Sequence, residues 1–171
     1  MLSTEWIIKG RTYPRTENMI TLYQKNGIKV IACSYADDIS LNVLPVTSCG
    51  KCKPKTIESS YLPKELYLGK TQQLFMEVCQ EIDYAIVSDL YGLHFCNVKK
   101  AIYDIHPTLL TVSERIILAK KIKFQALEKN YTSILYYLPS PIRAFTYLDI
   151  LLRTGLEIIY TSNLKKFKPI I

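Results

Sequence analysis

The sequence predicts one α/β domain in which a mostly parallel β-sheet is covered by helices on both faces. Short apolar, β-rich runs recur at "NVLPVTS", "DYAIVS", "SILYYLP" and "EIIYTS". Helix start and stop signals fall between them, and each gap is long enough for a crossover connection. Strands that alternate with helices in this way argue for a parallel sheet with two buried faces.

Taken in order, "RTENMITLYQKNG" reads as a helix ending near Gly27, and "IKVIACSY" as a strand whose place in the sheet the sequence does not fix. "ADD" and "IS" after it read as a turn. Residues 1–40 thus precede the repeating core as an N-terminal extension. "NVLPVTS" opens the core, and "PKELYLGKTQQLFMEVCQEI" follows as a helix for which Pro63 is a suitable start, since proline gives up no bonded N–H in the first turn. After "DYAIVS", the stretch "SDLYGLHF" reads as a loop. In "TVSERIILAKKIKFQALEKN", Thr111 and Glu114 have capping-box spacing, and the helix should run to about Lys129. "SPIRAFTYLDILLRTG" then offers Ser140 as N-cap, Pro141 at the first helical position and Gly155 as the stop. "NLKKFKPII", residues 163–171, closes the chain as a basic tail.

A chain of 171 residues suits a single domain with a real core. Lys and Arg outnumber Asp and Glu by 22 to 15, and the resulting net charge of +7 favours a polyanionic partner such as a nucleic acid. The 13 tyrosines are the compositional oddity. No apolar run reaches the roughly 18 residues of a membrane helix, and "MLSTEWIIKG" lacks the basic-then-apolar pattern of a secretory signal. The expectation is a cytoplasmic protein with no membrane partner. Five cysteines, at 33, 49, 52, 79 and 96, then read as reduced thiols rather than a disulfide framework.

In open parallel sheets ligands sit beyond the carboxyl ends of the strands, so topology makes "CGKCKPK" and "SDLYGLHF" neighbours in one mouth. A zinc site there would need Cys49 and Cys52 to be completed across the mouth by "HFC", residues 94–96. A phosphate cradle would need more glycine than Gly50, and the G-K-[ST] ending is missing. A nucleophilic Cys49 fits the residue types better: Lys51 and Lys53 would favour its thiolate, and the end of a strand faces the ligand. The bland alternative is a small buried cysteine that closes the strand. His94 and His106 suggest no firm partner for it. In the second loop, Gly92 provides a turn, while Ser88 and Tyr91 are placed to bind or close over a planar ligand, with Tyr103 or Asp104 arriving from "AIYDI". In the tail, Lys165, Lys166 and Lys168 beside Phe167 could touch nucleic acid.

Taken together, "LPVTSCGKCKPK", "SSYLPKELYLGKTQQLF", "YAIVSDLYGL" and "AIYDI" resemble the core domain of archaeosine synthase and related small proteins. The "S-x-L-Y-G-L" element is also similar to the bacterial peroxide-stress family. The resemblance runs from about residue 41 to 105. Cys49, Lys53 and Pro54 match its first loop, and Ser88, Tyr91, Gly92, Tyr103 and Asp104 match its later motifs. Lys55 departs from the tyrosine expected after Lys-Pro, and Ser59 is displaced by one position.

The resemblance implies a three-layer, Rossmann-like fold akin to uracil-DNA glycosylases. It also implies an activity on tRNA in which the nitrile of 7-cyano-7-deazaguanine receives the amine of lysine, without a cofactor. Such a chain, lacking the separate RNA-binding domain of the full-length synthase, would rely on a protein partner or on its own basic surface, including Lys51 and Lys55. In this chemistry a Cys49 thiolate would add to the nitrile carbon and the amine would displace it. Lys53 would stabilise the thiolate or protonate the developing nitrogen anion, and Asp104 would orient or deprotonate the amine. Two rival readings are a non-catalytic nucleic-acid-binding or stress-response module and a base-excising glycosylase.

Overall fold

The computed structural model describes residues 5–8, 11–14, 24, 25, 27, 29, 30, 42–51, 53–55, 59–103 and 109–162. Two strands, β1 (Glu5–Ile8) and β2 (Arg11–Pro14), pair antiparallel as a hairpin. Residues 24 and 25 are helical and Gly27 follows at φ +79°, as expected of a helix ending there.

The main sheet has six strands in the order β3-β8-β7-β4-β5-β6. They are β3 (Lys29–Val30), β4 (Val43–Ser48), β5 (Ala85–Ser88), β6 (Gly92–Phe95), β7 (Ser133–Tyr137) and β8 (Glu157–Thr161). Five run parallel, and β6 closes one edge antiparallel to β5. The strand in "IKVIACSY" therefore gains a place, at the opposite edge beside β8. "SDLYGLHF" is not a loop throughout: its second half is β6, returned along β5 by a turn in which Gly92 takes φ +72°. Four residues that include Gly and His carry too little strand signal for the sequence to reveal this hairpin.

Pro45 lies in β4, the strand between β7 and β5, where a missing N–H would ordinarily cost a ladder bond. The N–H of Cys49 points to Val87 on β5, so alternation sends the nitrogen of Pro45 to the same side. Pairing with β5 begins only at Val46, which leaves the proline facing a position that offers no rung.

Four helices lie in full within the described residues: α1 (Pro63–Leu66), α2 (Lys70–Val78), α3 (Val112–Glu128) and α4 (Pro141–Leu152). The capping box of α3 forms as expected: the N–H of Glu114 donates to Thr111 Oγ1 at 3.2 Å, and the N–H of Thr111 donates to Glu114 Oε2 at 2.7 Å. Pro141 opens α4 after Ser140, and Gly155 follows the helix at φ +71°. The single helix expected after Pro63 is instead two, divided at Tyr67–Gly69.

Side chains of successive strand residues enter opposite cores. Leu44, Val46, Ala85, Val87, Ile134, Tyr136, Ile158 and Tyr160 pack with α3 and α4 on one face. Val43, Ile86, Leu135, Tyr137 and Ile159 pack with α1 and α2 on the other. The result is three layers, and Cys49 touches both cores. No helix among the described residues is long and apolar enough to cross a membrane.

Candidate functional site

Cys49 follows the last residue of β4, and its N–H donates to Val87 O at 2.9 Å, one rung beyond the Ser48–Val87 pairing. The cysteine therefore stands at the carboxyl ends of the central parallel strands, beside the turn that leaves β5. The two loops singled out in the sequence do meet there.

Gln72 of α2 fixes the first loop by donating from Nε2 to Ser48 O at 2.9 Å. Its carboxamide passes between two glycines: a Cβ on Gly50 would lie 2.9 Å from Gln72 Oε1, and one on Gly69 would collide with the same oxygen. Gly50 thus makes room for a neighbouring amide. The break between α1 and α2 places the second glycine.

On the α4 side, the sulfur of Cys49 is 3.6 Å from Asp89 Oδ2, to which it donates, and 3.0 Å from the hydroxyl of Tyr147. Tyr147 in turn donates to Asp89, at 3.0 Å from Oδ1 and 3.2 Å from Oδ2. Asp89 and Tyr147 are both buried. Burial pushes the Asp89 carboxyl up to about 6, against the hydrogen bonds from Tyr147 and Cys49 that favour its charged form. A carboxyl tuned close to neutrality and in contact with a thiol can take up and return a proton.

On the α2 side, Tyr103 is buried in the core cluster against which Cys49 packs. Its hydroxyl is 3.4 Å from that of Tyr67, which is 3.0 Å from His94 Nδ1. His94 Nε2 lies 2.7 Å from Val98 O. A carbonyl can only accept, so Nε2 carries the proton and Nδ1 accepts from Tyr67. Burial lowers the imidazole below its ordinary value, which keeps this tautomer neutral. The ammonium of Lys53 donates to Gly50 O at 2.9 Å and lies over the rings of Tyr103 and Tyr67, 4.6 and 5.4 Å from their centroids.

Burial and then the Asp89 charge push the Cys49 thiol up, and this outweighs Tyr103, Tyr147 and Lys53. Lys51 is exposed. The resting side chain is a thiol, and its ionisation must be coupled to a proton acceptor.

In the turn after β5, Ser88 Oγ accepts from the N–H groups of Leu90 at 3.3 Å and Tyr91 at 3.1 Å, so this serine shapes the turn. Tyr91 donates to Ala101 O at 3.0 Å, and its ring stands edge-on to Tyr103, with centroids 5.2 Å apart. Gln125 of α3 accepts from Leu93 N at 2.8 Å and donates to Tyr91 O at 3.1 Å. A Cβ on Gly92 would strike Gln125 Oε1.

The metal arrangement across the mouth loses its second half. Both nitrogens of His94 are committed, and β6 runs backwards, so the N–H of Cys96 reaches Tyr84 O at the amino end of β5, opposite Cys49. Among the described residues no group of three or more His, Cys, Asp and Glu could hold a metal ion.

Cys49, Lys53, Ser88, Tyr91, Gly92 and Tyr103 are thus brought together, with Pro54 half-buried in the same loop and Lys55 exposed beyond it. Cys52, Asp104, His106, Lys165, Lys166 and Lys168 lie outside the described residues. The sequence reading did not single out Asp89, Tyr147, Tyr67 or Gln72. Asp89 carried a signal, an acid directly after a buried strand on the ligand side. Tyr147 carried another: with Ala144, Leu148 and Leu151 it occupies core spacing on α4, where a phenol needs a polar partner.

Comparison with known proteins gives no match to any family model, curated protein or solved structure.

Proposed function

We propose that this chain is an archaeosine-synthase-like tRNA modification protein that joins the amine of lysine to the nitrile of 7-cyano-7-deazaguanine, with Cys49 as nucleophile and Asp89 as its proton acceptor. The observation that carries the reading is the contact of Cys49 with Asp89 and Tyr147 at the carboxyl ends of the parallel strands. The order of the four core parallel strands β4, β5, β7 and β8, in which the second lies outside the first and the third and fourth follow on its other side, supports a Rossmann-like, uracil-DNA-glycosylase-like fold. The net charge of +7 supports an RNA substrate, met with the help of a separate RNA-binding partner. In this reading the protein works in the cytoplasm, where the thiol stays reduced.

The chemistry balances without an oxidant or metal. Sulfur adds to the nitrile carbon while its proton passes to Asp89 and from there to the nitrile nitrogen, which leaves a thioimidate on Cys49. The amine adds to that carbon, the C–S bond breaks, and one proton from the nitrogen returns to sulfur. The product is an amidine, and the thiol is regenerated. Lys53 and the two tyrosine hydroxyls provide donors for the charge that develops on sulfur and nitrogen. Asp104 is assigned the role of orienting or deprotonating the incoming amine.

Incubation with tRNA containing 7-cyano-7-deazaguanine and lysine, followed by nucleoside mass spectrometry, should show the addition of one lysine, and Cys49→Ser should abolish it. Without amine, intact-protein mass spectrometry should detect a covalent adduct on Cys49. Release of free base would indicate a glycosylase instead, and salt-dependent binding with neither adduct nor altered base would indicate a binding module.

A further inference from the structure

We infer that Lys53 and Lys100 form, with the rings of Tyr91 and Tyr103, a carboxylate-binding subsite that selects an α-amino acid over a plain amine as the amine donor. Its role in catalysis rests on the lysine transfer proposed above, but the groups that build it do not. Lys53 and Lys100 are half-buried, whereas every other lysine with a described side chain is exposed. Neither is ion-paired with a carboxylate among the described residues. Each instead lies over one ring of an edge-on pair: Lys53 Nζ is 4.6 Å from the centroid of Tyr103, Lys100 Nζ is 5.3 Å from that of Tyr91, and the two rings are 5.2 Å apart. A ring face attracts an ammonium group but carries no net charge, so two positive charges stay unneutralised beside the Cys49 loop. Both are held before any ligand arrives. Lys53 gives one of its three N–H groups to Gly50 O, and the backbone of Lys100 exchanges N–H···O bonds of 2.8 Å with Tyr61 in both directions. Charges that are fixed and half-shielded bind an anion more strongly than exposed ones, which salt screens. The exposed lysines suit a phosphate polymer that stays outside, and the half-buried pair suits one small anionic group that enters whole. The same charges orient the donor. Its carboxylate is drawn to the ammonium pair while its protonated amine is repelled from it, towards Asp89, which contacts the sulfur.

Calorimetric titration of the whole chain with L-lysine and with cadaverine, the same diamine without the carboxylate, tests the subsite in the absence of tRNA. L-Lysine should bind roughly tenfold more tightly than cadaverine. Lys100→Met should weaken L-lysine by roughly that factor and leave cadaverine unchanged, and Lys100→Arg should restore most of the preference. Lys53→Met should weaken L-lysine to a similar degree. Circular dichroism confirms that each variant is folded. Equal affinity of the wild type for the two amines, or a preference that survives Lys100→Met, would overturn the inference. So would a loss of affinity for unmodified tRNA in Lys100→Met with L-lysine binding unchanged, which would assign the ammonium groups to RNA phosphates. The adduct of Cys49 with the nitrile forms without amine, so Lys100→Met should still form it. An adduct without a preference for L-lysine sinks the subsite alone, and a preference for L-lysine without an adduct sinks the nitrile chemistry alone.

Discussion

On the side of α3 and α4, the sheet is covered mainly by aliphatic side chains, among them Leu118, Ile122, Leu148, Ile150 and Leu151. On the side of α1 and α2, the buried set is rich in rings: Tyr61, Tyr67, Phe75, Tyr84, Tyr103 and Tyr137. The abundance of tyrosine in the sequence thus has a partial address. Cys49 touches both cores, and each supplies a different kind of partner. The aliphatic side brings one acid and one phenol to the sulfur, and burial raises the carboxyl; the aromatic side delivers a chain of hydroxyls and an ammonium held over rings. One face sets the proton acceptor and the other sets the donors.

Stability measurements can break this division, beginning with the largest expected effect. Leu148→Ala empties a fully enclosed aliphatic position and should cost about 2 to 5 kcal/mol in urea denaturation. A cost below 1 kcal/mol would mean that this face is loosely packed.

Next comes the pH dependence set by Asp89. Its folded-state carboxyl titrates near 6, above the ordinary 3.8, so the folded protein binds the proton more tightly than the unfolded one does. Its contribution is therefore full below about pH 4 and is lost as pH rises through 6, by roughly 3 kcal/mol for a shift of about two units. His94 acts oppositely: its lowered imidazole removes stability as pH falls below 6.5. The difference between the wild type and Asp89→Asn cancels the histidine and should decline from pH 4 to 6.5. A difference that is flat across that range would remove Asp89 from its assigned place.

Smaller effects concern the turn that joins the faces. Gly92→Ala imposes a left-handed conformation on alanine and crowds Gln125, and thermal denaturation should report a loss of about 1 to 2 kcal/mol. Smallest is Thr111→Ala, which removes the acceptor for Glu114 N–H at the exposed start of helix α3 and should cost about 1 kcal/mol in thermal denaturation.

What the sequence revealed follows from how local each signal is. The strands β4, β5, β7 and β8, the capping box of Thr111 and Glu114, and the Pro141 helix start are written in adjacent residues. The meeting of the Cys49 loop with the Ser88 turn followed from a general rule about parallel sheets. The partners of the sulfur did not follow, because Tyr147 is 98 residues from Cys49 and Asp89 is 40. Which of many tyrosines reaches the sulfur depends on the rotation of α4 over the sheet. The β6 hairpin was missed for the converse reason: its decisive feature is a backbone angle at Gly92, and glycine permits many.

The carboxamide of Gln72, seated between Gly50 and Gly69, gives these three positions a shared history. A descendant that replaced either glycine would have to displace the glutamine's carboxamide or shorten it, and either change would release Ser48 and the cysteine next to it. Natural variants of this chain should therefore keep or exchange all three together.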